Sequence, residues 1–127
     1  MPSKPQRITD AQLAVMKVLW DRGPLTAKAI TEAVYPECSE SDFASVHSFL
    51  QRLEGKGLVE RDRSGFVHLF RATVSQSEIA GQELEALAKR LSDGAITPFL
   101  THLLDRNRLD EAEAAEIRRL LEEHFPS

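Results

Sequence analysis

Between Ala44 and Arg61 the chain reads ASVHSFLQRLEGKGLVER, and the glycines in it force a change of structure. Ahead of them, Val46, Phe49, Leu50 and Leu53 recur at helical spacing. Behind them, Leu58-Val59 opens a run of strand formers. Glycine readily takes the left-handed conformation that ends a helix, so Gly55 and Gly57 around Lys56 predict a helix stop and an immediate reversal.

On a helix of about 100° per residue this segment has two unlike faces. The apolar four fall in one sector and predict a stripe docked on a core. Opposite them stand Ala44, Ser48 and Gln51, flanked by His47 on one side and by Ser45 and Arg52 on the other. A solvated helix face usually carries Glu and Lys at i,i+4 spacing. Hydroxyls, an amide, an imidazole and a guanidinium form instead a short hydrogen-bonding face that can lie deep in a groove. A surface helix of ordinary composition is the alternative, and the flanking elements decide between the two.

Those elements are helical upstream and extended downstream. Thr9 or Asp10 caps a first helix bearing Leu13, Val15, Met16, Val18, Leu19 and Trp20, which Arg22-Gly23-Pro24 ends. Leu25-Thr26 forms a short extended piece, and Thr26 caps a second helix with Ala27, Ile30 and Val34 inside. Tyr35-Pro36 closes it. Asp42 is the expected cap of the third helix. After the glycines, the runs Leu58–Arg63 and Phe66–Arg71 around Ser64-Gly65 predict a hairpin with a two-residue turn. Helix, helix, helix, hairpin over residues 9–74 is the order of a winged helix-turn-helix, whose third helix is presented to a DNA major groove.

The remainder reads as three amphipathic helices. Ser75 with Glu78 forms a capping box, Asp93-Gly94 interrupts, Pro98 falls in a first turn, and Asp110 with Glu113 opens the last helix. Their large apolar residues are Leu84, Leu87, Leu91, Phe99, Leu100, Leu103, Leu104, Leu120 and Leu121. Three such helices in so short a segment bury their stripes poorly alone. Self-association covers them, and packing back on the first domain is the alternative. The expected fold class is therefore mainly α with a small β hairpin, in two domains: residues 1–74 for DNA and 75–127 for dimerisation.

Charge qualifies the DNA reading. Through Val74 there are ten Lys/Arg against nine Asp/Glu, and from Ser75 six against eleven, which together give the net −4 of the chain. Any affinity for a polyanion must come from local placement of charge. The cations placed for it are Lys28, Arg52, Lys56, Arg61 and Arg63. With Thr26, Ser45, His47, Ser48 and Gln51 they make up the expected DNA-binding set.

Other chemistry finds little support. Cys38 and His47 lack a third orienting group, so no catalytic site is expected. The four histidines are scattered with no cysteine cluster, and neither metal nor cofactor is expected. No apolar run of about 18 residues occurs and MPSKPQRITD lacks a signal core, which predicts a cytoplasmic protein without membrane insertion. A single cysteine fits a reducing compartment.

The runs LAVMKVLWDRGPLTAKAI and SVHSFLQRLEGKGLVER, the strand FVHLFR and the ending LLEEH resemble the penicillinase-repressor family of winged-helix repressors, over about Ile8 to His124. The resemblance implies a homodimer on a pseudo-palindromic operator, with the C-terminal helices as the dimer interface. By position, Ser45 and Ser48 stand where the family usually has threonines, and Gln51 where asparagine is common. Arg52 and Lys56 match frequent basic residues. Ala44, Gly55 and Phe66 each replace a residue that is often basic in the family. His102-Leu103 occupies the place of the Asn-Phe bond cleaved in β-lactam-responsive members, and the cysteine cluster of copper-responsive members is missing. The expected function is a homodimeric repressor released neither by that cleavage nor by copper, with any sensor-linked protease unknown. The alternatives are a winged helix serving as a protein-interaction module, or a small-molecule-binding regulator.

Overall fold

The computed structural model describes residues 8–127, so the proline-containing start of the tail lies outside the described residues. The elements follow as α1 (Asp10–Arg22), α2 (Ala27–Val34), α3 (Glu40–Gly55), β1 (Val59–Asp62), β2 (Leu69–Ala72), α4 (Gln76–Ser92), α5 (Thr97–Asp105) and α6 (Glu111–His124).

Side-chain caps set the helix starts. Thr9, not Asp10, caps α1: its hydroxyl accepts from the Gln12 amide at 3.2 Å, and Gln12 Oε1 accepts from the Thr9 amide at 3.4 Å. Thr26 caps α2 through the Ala29 amide at 3.1 Å. For α3 the expected cap, Asp42, is displaced. Ser39 caps the helix, and Asp42 is the reciprocal partner, each side chain accepting from the other's amide at 3.1 Å. A Ser-x-x-Asp pair satisfies two orphan amides together, which outweighs a lone Asp cap two residues inside.

The first compact unit ends at Leu84. Its core joins Val15, Met16 and Leu19 of α1, Ala27 and Ile30 of α2, Val46, Leu50 and Leu53 of α3, Leu58 and Val59 at the start of the hairpin, Phe70 of β2, and Ile79 of α4. Burial of each large member contributes about 1.5–3 kcal/mol. Trp20 packs against this core while its indole Nε1 donates to the Val74 carbonyl at 2.8 Å.

The hairpin departs from expectation in register. β1 and β2 pair antiparallel as Val59↔Ala72, Glu60↔Arg71, Arg61↔Phe70 and Asp62↔Leu69, so Phe66, Val67 and His68 belong to a longer connection and not to a strand. Asp62 Oδ1 accepts from the Ser64 amide at 2.9 Å, a local turn that takes the chain out of the ladder before Ser64-Gly65. On its other edge, β2 exchanges both backbone bonds of Phe70 with Leu25, at 2.8 and 3.0 Å. The short extended piece before α2 thereby anchors the hairpin to the helices.

The second unit, Glu85–Ser127, begins inside α4. Its turns are locally well made. Asp93 and Gly94 take positive φ, 51° and 94°, between α4 and α5, and Asp110 Oδ1 accepts from the Glu113 amide at 2.8 Å to start α6. The burial is another matter. Leu91, Leu100, Leu104, Leu120 and Leu121 are exposed, and Ala88 is the one buried hydrophobic residue among those described in this unit. Leu87, Phe99 and Leu103 are half-buried, and Leu84, at the end of the first unit, is exposed.

Candidate nucleic-acid interface

Val46, Leu50 and Leu53 are fully buried, so α3 is held by one face and its opposite face is presented outward. Gln51 and Arg52 are exposed on that face beside Ala44, and Ser45, His47 and Ser48 are half-buried along it. Such side chains can donate to and accept from base edges, and Ala44 and the serines let a helix approach closely. The first turn of α3 is acidic, with Glu40 exposed and Asp42 held by the cap. That charge opposes phosphate there and leaves the favourable field to the C-terminal end, where Arg52 stands.

The remaining expected contacts divide into open and engaged groups. Lys28 and Arg63 are exposed. Thr26 uses its hydroxyl on the α2 cap. Lys56, the C-cap residue of α3, donates from Nζ to Oε1 of buried Gln12 at 2.9 Å, which ties the end of α3 to the start of α1. Arg61 turns inward: its guanidinium meets Glu54 at 2.6 Å and lies 4.7 Å from the Phe70 ring centre, with the side chain only 17% exposed. Arg71 of β2 pairs with Glu60 across the hairpin.

Three contributors escape a reading of the sequence. Phe43 packs edge-on against His47, ring centres 4.6 Å apart, one helical turn before it. That i,i+4 spacing was visible but carried no signal of function. Gln12 and Glu54 restrain Lys56 and Arg61 across folds of the chain that no local pattern reveals. At the wing, hydrogen bonds from the Ser64 hydroxyl and amide hold the Asp62 carboxyl below the ordinary aspartate value, with nearby His68 adding to the effect.

Three helices with a hairpin behind the third, and a polar outward face on that third helix, define a winged helix-turn-helix domain of the kind found in transcription regulators. Residues 8–123 match the penicillinase repressor family, and the chain belongs to it. The family's members are transcriptional regulators and not enzymes. The penicillinase repressor of Bacillus licheniformis is 27% identical over 121 residues, covering 93% of this chain and 91% of its own. The transcriptional regulator BlaI of Mycobacterium tuberculosis is 33% identical over 123 residues, covering 95% and 87%. Among solved structures, the PcaV transcriptional regulator of Streptomyces coelicolor is remotely similar, with a TM-score of 0.45 and 21% identity over 93% of this chain and 74% of that one.

Proposed function

We propose that this protein is a homodimeric transcriptional repressor that inserts α3 into the major groove of a pseudo-palindromic operator. Residues 1–74 form the DNA-binding domain in this reading, and 75–127 the dimerisation domain. The observation that carries it is the division of α3 into a fully buried stripe and an outward face of Ser45, His47, Ser48, Gln51 and Arg52. Arg52 contacts a base edge or phosphate, and Lys28, Lys56 and Arg63 contact backbone. The exposed leucines of α4, α5 and α6 support the dimer, because leaving them in water forfeits their transfer free energy.

The test is selection of duplexes from random DNA with the purified protein, at stated salt. The expected result is a site of two related half-sites, centred about one helical turn or a multiple apart. A second reading, a winged helix that binds another protein, is favoured by the acidic first turn of α3 and by the engagement of Arg61 with Glu54. Recovery of no preferred duplex would favour it.

A further inference from the structure

Among the described residues two polar side chains are buried, Thr31 and Gln12. Thr31 is satisfied within its own helix, where its hydroxyl donates to the Ala27 carbonyl at 2.7 Å. Gln12 is only 2% exposed, and its Oε1 accepts from two donors: the Thr9 amide at 3.4 Å and the Lys56 ammonium at 2.9 Å, 44 residues along the chain. Burying an amide costs desolvation that an apolar side chain in the same place would avoid. The capping box does not require that burial, since Ser39 with Asp42 and Ser75 with Glu78 make the same reciprocal bonds at exposed positions. What distinguishes Gln12 is its second partner.

Lys56 stands where such a partner matters. It is the C-cap of α3 and keeps helical dihedrals, φ −84° and ψ −5°, so its Cβ continues the wheel of the helix. At 100° per residue it falls about 40° from Arg52 and about 20° from Ser45, to the outward side of the buried stripe. The last carbonyls of a helix carry partial negative charge, which repels a phosphate there. An ammonium held at that end reverses the local field. A lysine stem has many rotamers, and ordering it on binding costs affinity. The bond to Gln12 orders it beforehand. An amide is also uncharged, so the ammonium keeps its charge, which a carboxylate in the same place would cancel.

We propose that Gln12 is a positioning residue for DNA binding: from the core of the first unit it fixes the Lys56 ammonium at the end of α3, in place for a phosphate. The inference rests on the DNA-binding reading above and adds to it a residue of α1 that is itself too buried to touch DNA. Helix α1 thereby sets one of the backbone contacts that fix the register of α3 on a duplex.

The experiment uses the full chain and a duplex selected by the wild-type protein. Gln12→Met, Gln12→Glu, Lys56→Ala, Arg52→Ala and the Gln12→Met/Lys56→Ala double variant are compared in salt titrations, with urea unfolding of each. Gln12→Met is expected to weaken binding about three- to tenfold in the wild-type background and less than about twofold once Lys56 is replaced. Gln12→Glu keeps the bond but pairs the ammonium with a carboxylate, so the salt slope should flatten by about 1, as in Lys56→Ala. A merely structural amide gives another pattern. Gln12→Met would then lower stability and cost the same binding in both backgrounds, or none, and either result overturns the proposal. An unchanged salt slope in Gln12→Glu overturns it too, and that variant keeps the capping bonds should Gln12→Met fail to fold. If these results come with an impaired Arg52→Ala, the positioning role fails and the DNA reading stands. Failure of the wild-type protein to select any duplex would overturn the DNA reading and the positioning role with it.

Discussion

At the scale of single residues, the cations of the first unit have separate duties. Arg52 is exposed on α3, so Arg52→Ala should cost roughly 1–3 kcal/mol of operator binding and relax the preference at the contacted position. Lys56 is tethered to Gln12, which orients it; Lys56→Ala should weaken all duplexes alike and flatten the salt slope by about 1. Arg61 differs because its ion pair with Glu54 and its stacking on Phe70 are mostly shielded from water. Arg61→Ala should therefore lower stability by about 1–2 kcal/mol in urea unfolding. Unchanged stability with a flatter salt slope would return Arg61 to the DNA-contacting group. Asp62 supplies a pH effect. Its carboxyl titrates below the ordinary value because Ser64 bonds to the ionised form, so the turn is supported above the unfolded pKa of about 3.9. That support is lost as pH falls through the lower folded value. The Ser64 amide resonance should move in that acid window, and one that stays fixed would remove Asp62 from the turn.

At the scale of elements, α3 depends on its cap and its stripe. Ser39→Ala removes the acceptor for the Asp42 amide and should cost about 1 kcal/mol. Leu50→Ala leaves a cavity where α3 meets the core and should cost about 2–5 kcal/mol, measured by thermal or urea unfolding. In α5 the His102–Leu103 bond lies within hydrogen-bonded backbone: the His102 carbonyl accepts from the Arg106 amide at 3.1 Å and that of Leu103 from the Arg108 amide at 2.9 Å. A protease needs extended chain, so α5 must open locally before this bond can be cut. With an imidazole where β-lactam-responsive members carry an amide, the protein should stay intact through β-lactam stress. Chain length and operator occupancy followed in cells test this, and a fragment ending at His102 that appears with derepression would refute it.

At the scale of the whole molecule, the exposed leucines of the second unit make self-association the principal expectation. Sedimentation at micromolar concentration should give twice the 14.2 kDa of one chain. A monomer at that concentration would remove both the dimer and the paired half-sites.

How far the sequence alone determined this protein follows from the range of the forces involved. Helix stops at Gly23 and Gly57, caps at Thr26 and Ser75, and the buried stripe of α3 are set within a few residues by backbone sterics and periodic hydrophobicity and are legible, whereas for α1 the sequence leaves Thr9 and Asp10 as alternatives. The family followed from runs of the same kind. The cap of α3 falls at Ser39 instead of the expected Asp42, because the reciprocal bonds of the pair satisfy two amides together. Hairpin register escaped for another reason. It depends on Leu25 pairing with Phe70 and on Asp62 turning the chain early, contacts that exist only once helices and strands have met. The same holds for the outward face. Composition supplied Lys56 and Arg61, but only the folded chain brings Gln12 to one and Glu54 and Phe70 to the other. A cation's availability is decided by its neighbours in space.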